Sequence, residues 1–203
     1  MKLVTVDRLR LWSGHRLSPN SEMTSNNTMP MNKRKAEEPI IAHWFNTPEP
    51  ITLREQLGKV VVIEAFQMLC PGCVSHGLPQ AMRIRQTFSE QDVVVLGLHT
   101  VFEHHQAQGS QEALAAFIHE YRISFPVGID AQSPGQRLPQ TMAKYQLRGT
   151  PSLILIDREG WQREQYFGEI PDLALGAKIM ALVQATDKSA IRTGSEDQPG
   201  CRI

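Results

Sequence analysis

The chain has 203 residues, 41% of them apolar, and equal numbers of basic and acidic side chains, 21 of each. That length suits one domain with extensions, and the apolar share suffices for a packed core. Zero net charge removes any bulk electrostatic case for nucleic acid or an anionic membrane, and three cysteines exclude a disulfide framework.

No stretch approaches the ~20 apolar residues that span a bilayer. Residues 1–38 read as an unstructured leader or a misassigned start, with Met23, Met29 and Met31 as further candidate starts. Lys2, Asp7, Arg8 and Arg10 break up the apolar stretch that a secretory signal needs, so the expected compartment is the cytoplasm. A transit peptide is the alternative. Lys33-Arg34-Lys35 reads as part of a solvated tail.

The domain proper is expected over residues 39–184. Ile40 to Phe45 reads as its entry strand, Pro48 and Pro50 mark a loop, and Leu53 to Leu57 fits a helical turn stopped by Gly58. Val60 to Phe66 is an apolar, β-branched run typical of a buried strand. It leads through Gln67, Met68 and Leu69 into Cys70-Pro71-Gly72-Cys73, after which Val74 to Phe88 has helical spacing. Asp92 to Leu98 is a second apolar strand, followed by an insert, Thr100 to Gly109, that carries His104 and His105. Ser110 caps a helix reaching Arg122, with Leu114, Phe117, Ile118 and Tyr121 toward the core. A short strand is expected over Phe125 to Ile129, and a helix over Pro134 to Tyr145 with a break near Pro139. Ser152 to Asp157 and Trp161 to Phe167 flank Arg158-Glu159-Gly160 as a hairpin, and Pro171 starts a last helix. The tail, 185–203, is polar and reads as disordered. Alternating strands and helices ending in a hairpin and helix predict an α/β sheet with helices on both faces.

The two thiols sit where a strand hands over to a helix. Unpaired N–H groups and the helix dipole favour an anion there, and the thiolate is the species that attacks a disulfide. Pro71 suits the first helical position, where its missing N–H costs nothing. Cys70 is thus the expected attacking thiol and Cys73 the resolving one. Glu64, inside the apolar strand, is the expected proton acceptor for Cys73; burial would raise its pKa.

Strand, CxxC and helix in this order resemble the thioredoxin superfamily, and more closely the TlpA-type thiol–disulfide oxidoreductases that sit near the peroxiredoxins. Glu64, six residues before Cys70, stands where these proteins carry a buried acid, and Gly149-Thr150-Pro151 matches their cis-proline segment. The resemblance spans Ile40 to Val183. It implies a thioredoxin-like fold: a central mixed β-sheet flanked by helices, with an insert between the second core strand and the following helix. It also implies that Pro71, Gly72, Thr150 and Pro151 contact substrate, a protein disulfide. An external thiol reductant would reset the pair, and no cofactor is needed beyond the redox-active Cys70–Cys73 disulfide itself. Three departures stand out. Leu69 replaces the thioredoxin Trp, the spacer is Pro-Gly, and Pro79 comes six residues after Cys73 instead of five, which predicts a one-residue irregularity in the first helix.

Rival readings use the same residues. Zinc would need four ligands where Cys70, Cys73 and His76 offer at most three, and haem attachment would need His where Val74 stands. His99, Glu103, His104 and His105 are a weak metal set, His99 a possible neighbour of the Cys70 thiolate, and Cys201 a free tail thiol. A peroxiredoxin-like peroxidase would take Cys70 through a sulfenic acid. Against it, Gln67 replaces the Thr that peroxiredoxins carry three residues before that Cys. A non-catalytic binding module on the same fold is the third reading.

Overall fold

Strand β3, Val60–Phe66, has every residue buried and a partner on each side, parallel with β4 (Val93–His99) and antiparallel with β6 (Ser152–Ile156), in a computed structural model that describes residues 34–185. Its Val and Ile side chains suit a two-sided burial that an alternating polar strand could not tolerate. Beyond β4 lies β5 (Val127–Asp130), parallel, and then β2 (Ile41–Phe45), antiparallel at the edge. Beyond β6 lie β7 (Trp161–Phe167) and β1 (Arg34–Lys35), both antiparallel. The described strands therefore form one mixed sheet in the order β1-β7-β6-β3-β4-β5-β2.

Helices α1 (Leu78–Thr87), α3 (Gln111–Glu120) and α5 (Asp172–Gln184) pack over Val60, Val62 and Phe66 through Leu78, Ile84, Leu114, Ile118, Leu175 and Ile179. The short helix α4 (Gln140–Lys144) covers the other face, where Met142 and Tyr145 meet Val61, Ile63 and Ala65. Because strand side chains alternate, Glu64 lies on the α1 face with Val62 and Phe66. The short helix α2 (His105–Gln108) lies in the insert after β4. Ser110 caps α3, its Oγ accepting the Ala113 N–H at 3.1 Å.

The first helix carries the expected irregularity. Between Pro71 and α1, residues Cys73–Gly77 form a π-turn, which holds one residue more than an α-turn. That extra residue explains the displaced Pro79, which sits in the first turn of α1 where proline is tolerated.

Four expectations need correction. The unstructured state expected through residue 38 does not hold for residues 34–38, since Arg34 and Lys35 pair with Gln162 and Trp161, and Glu38 accepts the N–H groups of Leu53 and Arg54. The basic side chains lie over aromatic faces, Lys35 4.3 Å from the Trp161 ring centre and Arg34 5.6 Å from that of Tyr145. Tyr121 is exposed, not in the core, stacked on Phe117 at 4.3 Å at the end of its helix. Residues 134–139 form turns rather than a helix, with Gly135 at φ +76° and Pro139 preceding α4 in an extended conformation. The strand expected from Phe125 starts at Val127 instead, after Pro126, whose missing N–H cannot enter a ladder. Residues 1–33 and 186–203, with the candidate starts, the tail and Cys201, lie outside the described residues.

Gly97 in β4 lets the aromatic layer close over β3. A Cβ there would stand 3.1 Å from both Phe125 Cε2 and Val127 Cγ2 and 3.3 Å from Phe66 Cε1. Gly97→Ala is expected to destabilise the protein by about 1–3 kcal/mol through overpacking, read as a lower urea midpoint at unchanged slope.

Candidate active site

Cys70 follows a turn closed by its own N–H to Gln67 O at 3.2 Å, and its carbonyl accepts the Val74 N–H at 3.1 Å. It thus occupies the N-cap of the helix that Pro71 begins. The Cys73 N–H donates to Cys70 Sγ at 3.3 Å, as a third-residue N–H does to a capping side chain. Cys70 Sγ also lies 3.4 Å from the carbonyl oxygen of Thr150, to which its S–H donates. Cys70 is half-buried and Cys73 fully buried. Burial, and next the hydrogen bond with Cys70, push the Cys73 thiol far above the ordinary thiol range.

The Thr150–Pro151 peptide bond is cis. Pro151 lies under the helix start, where two glycines let the backbone come close. A Cβ on Gly72 would be 3.2 Å from Pro151 Cδ, and one on Gly77 would be 2.9 Å from Pro151 Cβ and would overlap Glu64 Oε1. The structure therefore gathers Cys70, Cys73, Pro71, Gly72, Thr150, Pro151 and Glu64 at one end of β3. Glu64 is 1% exposed, and its Oε1 has no hydrogen-bond partner. Burial foremost, and repulsion from Cys70, hold its carboxyl well above the usual carboxylate range.

Two amides lock this end in place, Gln67, which the sequence marked only as a departure from the peroxiredoxin pattern, and Gln108, which it did not mark at all. Gln67 Oε1 accepts from the Phe102 and Glu103 N–H groups and from Gln108 Nε2, at 3.2, 3.3 and 3.1 Å. Gln108 Oε1 in turn accepts the Leu69 N–H at 3.0 Å. Both glutamines are buried. The pair ties the insert to the loop before Cys70, and together they wall a cleft of about 440 Å³ with Leu69, Pro71, Phe102, His104 and Thr150. No local signal in the sequence marks Gln108, because Gln67 and Leu69, its partners at the thiol loop, lie across the fold.

His99 is buried against Phe66, and burial pushes its pKa down to about 4, so at neutral pH it has no charge to offer a thiolate. His104 and His105 are exposed. Among the described residues, no group of three or more His, Cys, Asp and Glu side chains could hold a metal ion. None of the described helices is long and apolar enough to cross a membrane.

A mixed sheet with paired thiols at the start of a helix and a cis-proline beside them defines a redoxin of the thioredoxin superfamily, a class of thiol–disulfide oxidoreductases. The chain belongs to the AhpC/TSA family, whose model matches residues 41–164. Among solved structures, the thioredoxin-like superfamily protein SPOA0173 is 55% identical, with TM-score 0.73 over 75% of this chain and 97% of its own. A thiol-disulfide isomerase from Corynebacterium glutamicum is 48% identical, with TM-score 0.72 over 76% of this chain and 99% of its own. Protein DipZ of Mycobacterium tuberculosis is 30% identical over 132 residues, which is 64% of this chain but only 18% of DipZ.

The raised Glu64 pKa carries a sign for stability. The unfolded chain ionises at the ordinary carboxylate pH while the folded protein still holds the proton, so this group costs stability as pH rises between those two values. Glu64→Gln is therefore expected to be more stable than the parent at neutral pH. The difference should vanish as pH falls below the ordinary carboxylate range, read from urea midpoints across a pH series.

Proposed function

We propose that the protein reduces or exchanges protein disulfides, with Cys70 as the attacking thiol and Cys73 as the resolving one. The asymmetry of the two sulfurs carries this reading. Cys70 is reachable at the helix start and receives an N–H bond that would stabilise a thiolate. Cys73 is buried, its thiol pushed up, and so needs a base before it can act. Glu64 is that base in this account. The Thr150 backbone offers an edge where an extended substrate segment pairs beside Cys70, with Pro71, Gly72 and Pro151 shaping the contact. An external thiol reductant returns the Cys70–Cys73 disulfide to the dithiol, in a reducing compartment such as the cytoplasm. The name of the Corynebacterium glutamicum relative agrees with this chemistry. We take residues 34–184 as the catalytic domain.

Membership of the AhpC/TSA family favours a second reading, a hydroperoxide-reducing antioxidant enzyme that uses the same Cys70. Gln67 weighs against it, since its amide oxygen is committed to Phe102, Glu103 and Gln108. Insulin reduction without peroxide consumption is the expected result; the reverse would favour the peroxidase, and inactivity in both a binding module.

Cys70→Ser is expected to abolish disulfide reduction, by at least about a thousandfold. Cys73→Ser should instead accumulate partners joined through Cys70, identified by mass spectrometry of non-reduced complexes. Partners trapped through Cys73 in the Cys70→Ser variant would reverse the roles.

A further inference from the structure

A second cavity, of about 160 Å³, opens beside Glu64 and shares no lining residue with the cleft next to Cys70. Its inner wall includes the buried residues Glu64, Gly77 and Leu153; its outer wall includes the exposed His76 and Glu169. Gly77 keeps the inner end open, because a Cβ there would overlap Glu64 Oε1. That oxygen is buried without a hydrogen-bond partner. A water molecule needs only on the order of 10–15 Å³ of such space, with polar partners, so the cavity has room for a short chain of waters.

The charged groups along the cavity divide into two sets. Arg83 and Asp172 are joined by bonds of 2.9 and 3.2 Å, and Gln80 Nε2 donates to Asp172 Oδ1 at 2.6 Å and to Ile170 O at 2.8 Å. At the mouth, His76 Nε2 faces Glu169 Oε2 over 3.7 Å, with both side chains more than half exposed. His76 Nδ1 is fixed by Ser75 Oγ at 2.6 Å. An imidazole and a carboxylate are the usual side-chain proton carriers.

We propose that this cavity is the proton path of Glu64, with His76 and Glu169 passing protons between its water and bulk solvent. The proposal rests on the role of Glu64 as base for Cys73. In the dithiol protein Glu64 holds its proton. Its Oε1 has no hydrogen-bond partner and Glu64 lines the cavity, so water held there is the group to which that proton passes once Cys70 Sγ is bonded to a substrate sulfur. Glu64 then releases its proton into the cavity and, as a carboxylate, takes the proton of the Cys73 thiol. The Cys73 thiolate attacks Cys70 Sγ. The Cys70–Cys73 bond forms, the Cys70–substrate bond breaks, and the substrate sulfur leaves as a thiolate with the electron pair. One proton has left per cycle while the substrate still fills the cleft.

The test uses stopped-flow reaction of the reduced protein with 5,5′-dithiobis(2-nitrobenzoate). The first nitrothiobenzoate released reports attack by Cys70, and the second reports resolution by Cys73. The quantity read is the second rate relative to the first, in the parent, Glu64→Gln, the double variant His76→Leu/Glu169→Leu, and the triple variant. Glu64→Gln should lower the ratio by about tenfold or more. The double variant should lower it several-fold, the triple no further than Glu64→Gln, and added imidazole should restore the double variant alone. A parental ratio in the double variant, or losses that add in the triple, would overturn the path while leaving Glu64 as the base. A parental ratio in Glu64→Gln would overturn both, and failure of the first release in the parent would overturn the thiol chemistry itself.

Discussion

An acid buried inside a strand that is apolar on both faces is the constraint on which this site turns. An ionised carboxylate without partners in such a place is costly enough that the group keeps its proton instead. Glu64 stays there because β3 is held on both sides by ladder bonds and by two apolar clusters, which leave it no way to turn outward. The arrangement above it follows from that acid. Gly77 must lack a Cβ for the helix to approach, Gly72 must do so for Pro151 to fit, and the π-turn sets the spacing between them.

The two cysteines, only three positions apart, end up in different environments. One caps a helix and faces a cleft; the other points into the core. That difference follows from the turn from extended backbone into helix, which reverses the outlook of side chains within one turn. Under the proposed function the buried Cys73 thiol must become a nucleophile, which requires a nearby base, and a buried base requires a route for its proton. The site is thus a chain of needs that starts at the interior of the sheet and ends at the protein surface.

Much of this was legible in the residues. The β-branched run Val60 to Ile63, the helical spacing after Cys73 and the late Pro79 mark strand, helix and irregularity directly, since each rests on local chemistry. Cys70 could be named from its local motif, and Glu64 and Pro151 through the resemblance to the thioredoxin superfamily, though only folding brings the three together. Gln67 and Gln108 were not legible as a pair, because nothing near either residue signals a bond spanning 41 positions. The same holds for Arg34 and Lys35, which read as a solvated charge run until Trp161 and Tyr145 are placed beside them. Tyr121 misled for the opposite reason: its spacing fits the helix face, but the helix ends one residue earlier.

The unequal standing of the two thiols is the central claim, and differential alkylation measures it most directly. The reduced protein is treated briefly with iodoacetamide at neutral pH, and the modified cysteines are mapped by mass spectrometry. The account predicts label on Cys70 well before Cys73, with Cys73 catching up only when the protein is unfolded. Equal labelling of the two, or Cys73 labelled first in the folded protein, would contradict it.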